Sequence, residues 1–156
     1  ELAGMIIDTL ALFPAVPVSK VCIELSADIL YENLDEAKER IEELRALGVK
    51  VAILEVGDEF CPVFRLAELP FDYAFIDEFS TATLDRDDSD RVAGSLVNYL
   101  HYLSVKVIAP GLDSEDKIAG AKRVGCDGYT IALKSAEPEI APVSEAEEEV
   151  SVDESV

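Results

Sequence analysis

The chain has 156 residues with 33 acidic and 13 basic side chains, a net charge of −20. Such a length suits one domain that buries roughly 68–70% of its unfolded surface, so no disulfide or metal staple is required. The acid excess, with no basic stripe to offset it, argues against nucleic acid as a partner. No apolar run approaches the ~18 residues of a membrane span and no signal peptide is visible, so a cytoplasmic protein without membrane insertion is expected.

Residues 2 to 13 predict a helix with Met5, Ile6, Leu10 and Phe13 on one apolar face, stopped by Pro14 and Pro17. Residues 20 to 25 read as a strand with Glu24 near its C-terminal end. A helix over 35 to 47 aligns Ile41, Leu44 and Leu47, and Gly48 stands where a left-handed cap is wanted. The strand core 49 to 54 is nearly all apolar, with Lys50 as its interruption, which suits a buried parallel strand. Parallel sheets of this kind hold their chemistry at C-terminal strand ends, so a site is sought at Leu54, Glu55 and the loop through Phe60.

Cys61 to Glu68 reads as a short helix, Pro62 being tolerated in a first turn. Residues 72 to 76 predict a third strand that ends on Asp77. The run Asp85 to Asp90 supplies a cap and an acidic first turn to a helix from about Ser89 to Leu103, with Val92, Leu96, Leu100 and Leu103 as its stripe. A fourth strand over 105 to 109 is closed by Pro110 and Gly111, Ser114 and Gly125 bound a helix over 115 to 124, and 128 to 133 is a fifth strand. Strands alternating with helices at this spacing predict an α/β fold with a parallel sheet. From Glu137 to Val156 there are eight acids and no base, leaving 25 acids against 13 bases, or −12, in the body. The expected organisation is a domain over 1–134 followed by a disordered acidic tail over 135–156.

Several motifs are missing. Cys22, Cys61 and Cys126 are scattered without CxxC spacing or a nearby histidine, so they read as reduced thiols and not as a zinc site. His101 stands between Tyr99 and Tyr102 with no nucleophile motif, and reads as packed or solvent-facing. Gly57 to Phe60 lacks the spacing and the lysine of a phosphate loop.

Five phrases in order, Val21-Cys-Ile-Glu-Leu-Ser26, Gly48-Val-Lys-Val-Ala-Ile53, Leu69-Pro-Phe-Asp-Tyr73 with Phe75-Ile-Asp77, Val107-Ile-Ala-Pro-Gly-Leu-Asp113 and Val124-Gly-Cys-Asp127, resemble the EAL domain over roughly residues 1 to 133. That resemblance implies a modified TIM-like (β/α) barrel that hydrolyses cyclic di-GMP with two divalent metals. It also implies that Glu24 is the retained strand glutamate, that Leu54 and Glu55 stand for the paired aspartates, and that Phe75 replaces the catalytic lysine, leaving Asp77. Pro110 and Asp113 stand for the two glutamates of a later phrase, and Thr130 for a glutamine. The family's Glu-Ala-Leu motif and its asparagine strand correspond to sequence upstream of residue 1.

Two-metal hydrolysis needs several carboxylates converging on ions ~3.5–4 Å apart. Leucine, phenylalanine and proline provide none. The expectation is therefore a catalytically inactive EAL-like domain, not an enzyme, without cofactor or metal, in which Glu24, Glu55, Asp77 and Asp113 are vestigial. Cyclic di-GMP is not expected as a ligand; a protein partner or a homo-oligomer in a bacterial signalling, motility or envelope-associated assembly is. Five strands cannot close a barrel of eight, so an exposed sheet edge has to be covered. The alternatives are a sensor that binds cyclic di-GMP without cleaving it, and an active phosphodiesterase completed by upstream residues.

Overall fold

The computed structural model describes residues 2–31, 33–59, 61–86 and 90–132. Phe60, Ser89 and the acidic tail therefore lie outside the described residues. Five helices, α1 (Leu2–Leu12), α2 (Leu34–Ala46), α3 (Glu78–Ala82), α4 (Asp90–Tyr102) and α5 (Glu115–Val124), accompany five strands, with a 3-10 helix (Val63–Glu68) between the second and third strands and α3 and α4 both between the third and fourth. The strands are β1 (Cys22–Ser26), β2 (Lys50–Val56), β3 (Tyr73–Ile76), β4 (Lys106–Leu112) and β5 (Gly128–Ile131). All pair in parallel and in simple sequence order. Crossovers between parallel strands are right-handed, so an order that never reverses puts every helix on the same face of the sheet. This is the arrangement of a barrel segment and not of a doubly wound sheet.

Registers assign the two faces. Leu25, Ile53, Ala74 and Val107 lie in one row and look toward the helices, where Ile41, Leu44, Val97, Leu100 and Ala121 are buried with Ile53, Ala74 and Val107 in one core. Fully burying an aliphatic side chain of this size stabilises by about 1.5–3 kcal/mol. Glu24, Ala52, Tyr73 and Lys106 form a row on the opposite face. That inner face carries Leu54, Phe75, Ile108 and Pro110, all partly exposed.

Local chemistry explains the boundaries. Asn33 caps α2 by accepting from Glu36 N, and Ser114 caps α5 by accepting from Lys117 N. Gly125 closes α5 in the left-handed region at φ 95°. The α4 stripe is rotated from the expected one: Ala93, Val97 and Leu100 are buried, whereas Val92 is 75% exposed. Leu96 instead packs beside Gly57, on the flank where Phe64 meets Tyr99 edge to face at 6.1 Å. Of the expected apolar face of α1, Ile6 packs on the core and Leu10 is half-buried, while Met5 and, just past the helix, Phe13 are exposed, so half of that face is uncovered. β4 continues through Pro110 and Gly111 to Leu112, three residues past its expected stop. It does so because an irregularity in the β4–β5 register between Ala109 and Leu112 relieves Pro110 of donating to the ladder.

Two aspartates pin the N-terminal ends of the strands. Asp72 accepts from Val51 N at 3.1 Å and from Lys50 Nζ at 3.0 Å, with Arg45 at 3.4 Å. Asp127 accepts from Val107 N at 2.8 Å, and the same oxygen lies 2.8 Å from His101 Nε2. Each lies one residue before its own strand, and each clips the backbone of the neighbouring strand. Among the described residues no helix is long and apolar enough to cross a membrane.

Candidate functional site

Both register irregularities fall near the C-terminal ends of the strands, between Ile53 and Val56 in β2 and between Ala109 and Leu112 in β4. Bulges re-aim side chains and gather at functional rims. In β2 the irregularity places Glu55 in the left-handed region at φ 58°, a conformation a residue with a β-carbon adopts at a cost. The Glu55 carboxylate thereby reaches β1 and accepts from Ser26 Oγ at 3.3 Å. In β4, Gly111 at φ 66° turns its N–H toward β5 and donates to Thr130 Oγ1 at 3.0 Å. The sequence reading took Glu55 and Thr130 singly; their partners come from the sheet order.

Asp77 closes β3 and opens α3. Its Oδ2 accepts from Ser80 N at 3.2 Å and caps the short helix, which the sequence reading did not foresee, although an aspartate followed by Glu78 is a start signal. The residue is 6% exposed, and its Oδ1 has no hydrogen-bond partner. Asp77 lines a cavity of about 680 Å³ together with Gly57, Asp58, Glu59, Phe79, Ser80, Thr83, Arg86, Val92 and Ala93. Burial, with Asp58 and Asp77 nearby, raises the Cys61 thiol above its ordinary range, so it stays protonated and unreactive there.

The other carboxylates stand apart. Asp113 is exposed and paired with Lys117 at 3.0 Å across one helical turn, and that hydrogen bond holds its carboxyl below the usual range. Glu24 is exposed on the inner face of β1, at the open edge of the sheet. Among the described residues no three histidine, cysteine, aspartate or glutamate side chains lie close enough together to hold a metal ion. Leu54, Phe75 and Pro110 occupy the intervening inner-face positions with no donor atom in their side chains. The described residues thus do not by themselves fit the two cations that the resemblance implies.

A family model described as the EAL domain matches residues 3–130. The EAL domain of FimX from Pseudomonas aeruginosa bound to c-di-GMP superposes with a TM-score of 0.69 at 22% identity, over 80% of this chain and 51% of that one. A structure described as the PaMucR phosphodiesterase in complex with c-di-GMP gives 0.64 at 24% identity, over 74% and 47%. Among curated relatives, the cyclic di-GMP phosphodiesterase NbdA of Pseudomonas aeruginosa is 26% identical over 106 residues, 67% of this chain and 14% of NbdA. An uncharacterised protein of Azorhizobium caulinodans is 28% identical over 74% of this chain and 16% of its own length. The chain thus spans about half of the solved domains and about one-sixth of the longer relatives.

Two expectations are overturned. That the protein is not an enzyme conflicts with a family whose relatives and solved members include phosphodiesterases. That cyclic di-GMP is not a ligand conflicts with domains of this fold that hold it. The physical reason is the same for both: Leu54, Phe75 and Pro110 report on donors at three positions of this sheet and on no others. With the matched residues running through all five strands, this chain belongs to the EAL domain family of cyclic di-GMP signalling.

Proposed function

We propose that residues 2–132 form the C-terminal half of an EAL barrel that binds cyclic di-GMP across the C-terminal ends of its strands. The observation that carries this reading is that two register irregularities bring Glu55 to Ser26 and Gly111 to Thr130 at one end of the sheet. It is the end at which parallel sheets hold ligands. In support, solved domains of the same fold carry the dinucleotide. Here Glu55 offers acceptors for base N–H groups, Ser26 offers a hydroxyl, and the inner-face side chains of Leu54, Phe75 and Ile108 offer an apolar floor for a planar ring. Calorimetric titration of the full-length protein with cyclic di-GMP tests the reading. A micromolar or tighter Kd supports it, and no heat at ~100 μM protein refutes it. Hydrolysis in this reading draws its missing donors from the rest of the barrel. Conversion of the nucleotide in magnesium or manganese by the full-length protein then separates a phosphodiesterase from a sensor.

A protein-interaction role for the same domain is favoured by its uncovered apolar surface. Met5, Ile7, Leu12 and Phe13 on and just after α1 are 50–77% exposed, an apolar patch of the kind that marks an interface. Sedimentation velocity of the full-length protein tests this role, and a monomer at all concentrations counts against self-association.

A further inference from the structure

The cavity beside Asp77 opens between α3, the start of α4 and the loop after β2, and it combines two features rarely left together. Its walls carry three carboxylates, Asp58, Glu59 and Asp77. One oxygen of these, Asp77 Oδ1, is buried without a hydrogen-bond partner while its twin is committed to capping α3. An unpaired buried acceptor of this kind is costly and is relieved by any N–H donor that reaches it. A β-carbon built on Gly57 would sit 3.3 Å from Asp77 Oδ1 and 2.7 Å from Leu96 Cδ2, so the glycine keeps a further side chain from crowding that oxygen. The rim is apolar, with Phe79 80% and Val92 75% exposed.

We propose that this cavity is a docking pocket for an arginine presented by a basic segment of a partner protein. A guanidinium offers five N–H donors in a planar fork, enough to serve Asp77 and a second wall carboxylate together, where an ammonium acts as a point charge. Its aliphatic stem fits against Val92 and its plane against Phe79. The net charge of −20 draws basic partners to the surface. Arg86 also lines the cavity, but it carries an interaction of its own and leaves the wall with more negative than positive groups. The pocket is distinct in chemistry from a phosphate site, and the proposal does not depend on nucleotide binding.

The test is an NMR titration of the isotope-labelled full chain with the peptide acetyl-Leu-Arg-Leu-amide and its neutral citrulline counterpart. Saturable shifts of the Gly57, Ser80 and Ala93 amides are expected with the arginine peptide, with affinity at least about tenfold weaker for citrulline. Asp77→Asn keeps a capping side chain and is expected to weaken binding by about tenfold or more. Should that variant fail to fold, Phe79→Ala, at an exposed position, serves instead and is expected to weaken binding severalfold. Equal binding of both peptides, no shifts at ~10 mM arginine peptide, shifts produced by magnesium alone, or unaltered affinity in the variants would each overturn the proposal.

Discussion

Gly120 sets two effects of similar size against each other. It lies where α5 crosses the turn after α3, and a β-carbon there would press into the Leu84 carbonyl, 2.7 Å from its carbon and 3.0 Å from its Cβ. Alanine favours the helix over glycine by about 1 kcal/mol. The obstacle, however, is backbone, which cannot swing aside as a long side chain would. For ordinary contact α5 has to lift away, an overpacking that typically costs about 1–3 kcal/mol. Lifting also strips the hydrogen bond from Arg123 Nη2 to the same carbonyl, 3.2 Å in the native packing, at a cost of about 0.5–1.5 kcal/mol. Steric strain wins, and Gly120→Ala is expected to destabilise by about 1–3 kcal/mol net. Urea unfolding followed by circular dichroism measures this as a lower midpoint with an unchanged slope. A midpoint equal to or above the native one would refute the reasoning, because propensity would then have outweighed contact.

Leu100→Ala removes a fully buried side chain of the helix–sheet core and should cost about 2–5 kcal/mol in the same assay. For Asp72 and Asp127, burial pushes the carboxyls up, but the Lys50 and Val51 N–H bonds at Asp72 and the Val107 N–H and His101 contacts at Asp127 outweigh it. Both therefore titrate below their ordinary value of 3.8. A carboxyl lowered on folding stabilises the native state above its unfolded value, and the contribution is lost as pH falls through the lowered folded value. Unfolding midpoints should therefore drop below about pH 4, and an Asp72→Asn, Asp127→Asn double variant should be less stable near neutrality with a flatter acid limb; an unflattened limb would contradict the assignment. Burial raises the Cys126 thiol to about 11, while Cys22 is exposed. Timed alkylation at pH 8 read by mass spectrometry should thus mark Cys22 before Cys126, and the reverse order would show that β5 opens readily.

The regular elements were legible where local chemistry and periodicity agree. The aligned Ile41, Leu44 and Leu47 with Gly48 at the end marked α2, and Ser114 with Gly125 marked α5. The α4 rotation was hidden because Val92 and Ala93 are both apolar, so periodicity admits two stripes and the fit against the sheet chooses. The site was legible in part. Strand-end positions named Glu24, Glu55, Asp77 and Asp113, but the positive φ that carries Glu55 to Ser26 arises from pairing, which no single strand encodes. Asp113 gave no hint that a lysine four residues on would claim it, although that spacing on a helix is a known ion-pair distance. The ligand reading went wrong for a different reason: losses at three side chains were given more weight than the five phrases that carry the family.

The two aspartate clips have a consequence for how this fold can change. They fasten neighbouring strands at the edge farthest from the ligand end, so the ligand end is relieved of holding the sheet together. Leucine, phenylalanine and proline can then stand at Leu54, Phe75 and Pro110 without loosening the framework. Tolerance on one rim is underwritten by rigidity on the other, and the ligand a descendant recognises is free to drift while its scaffold stays put.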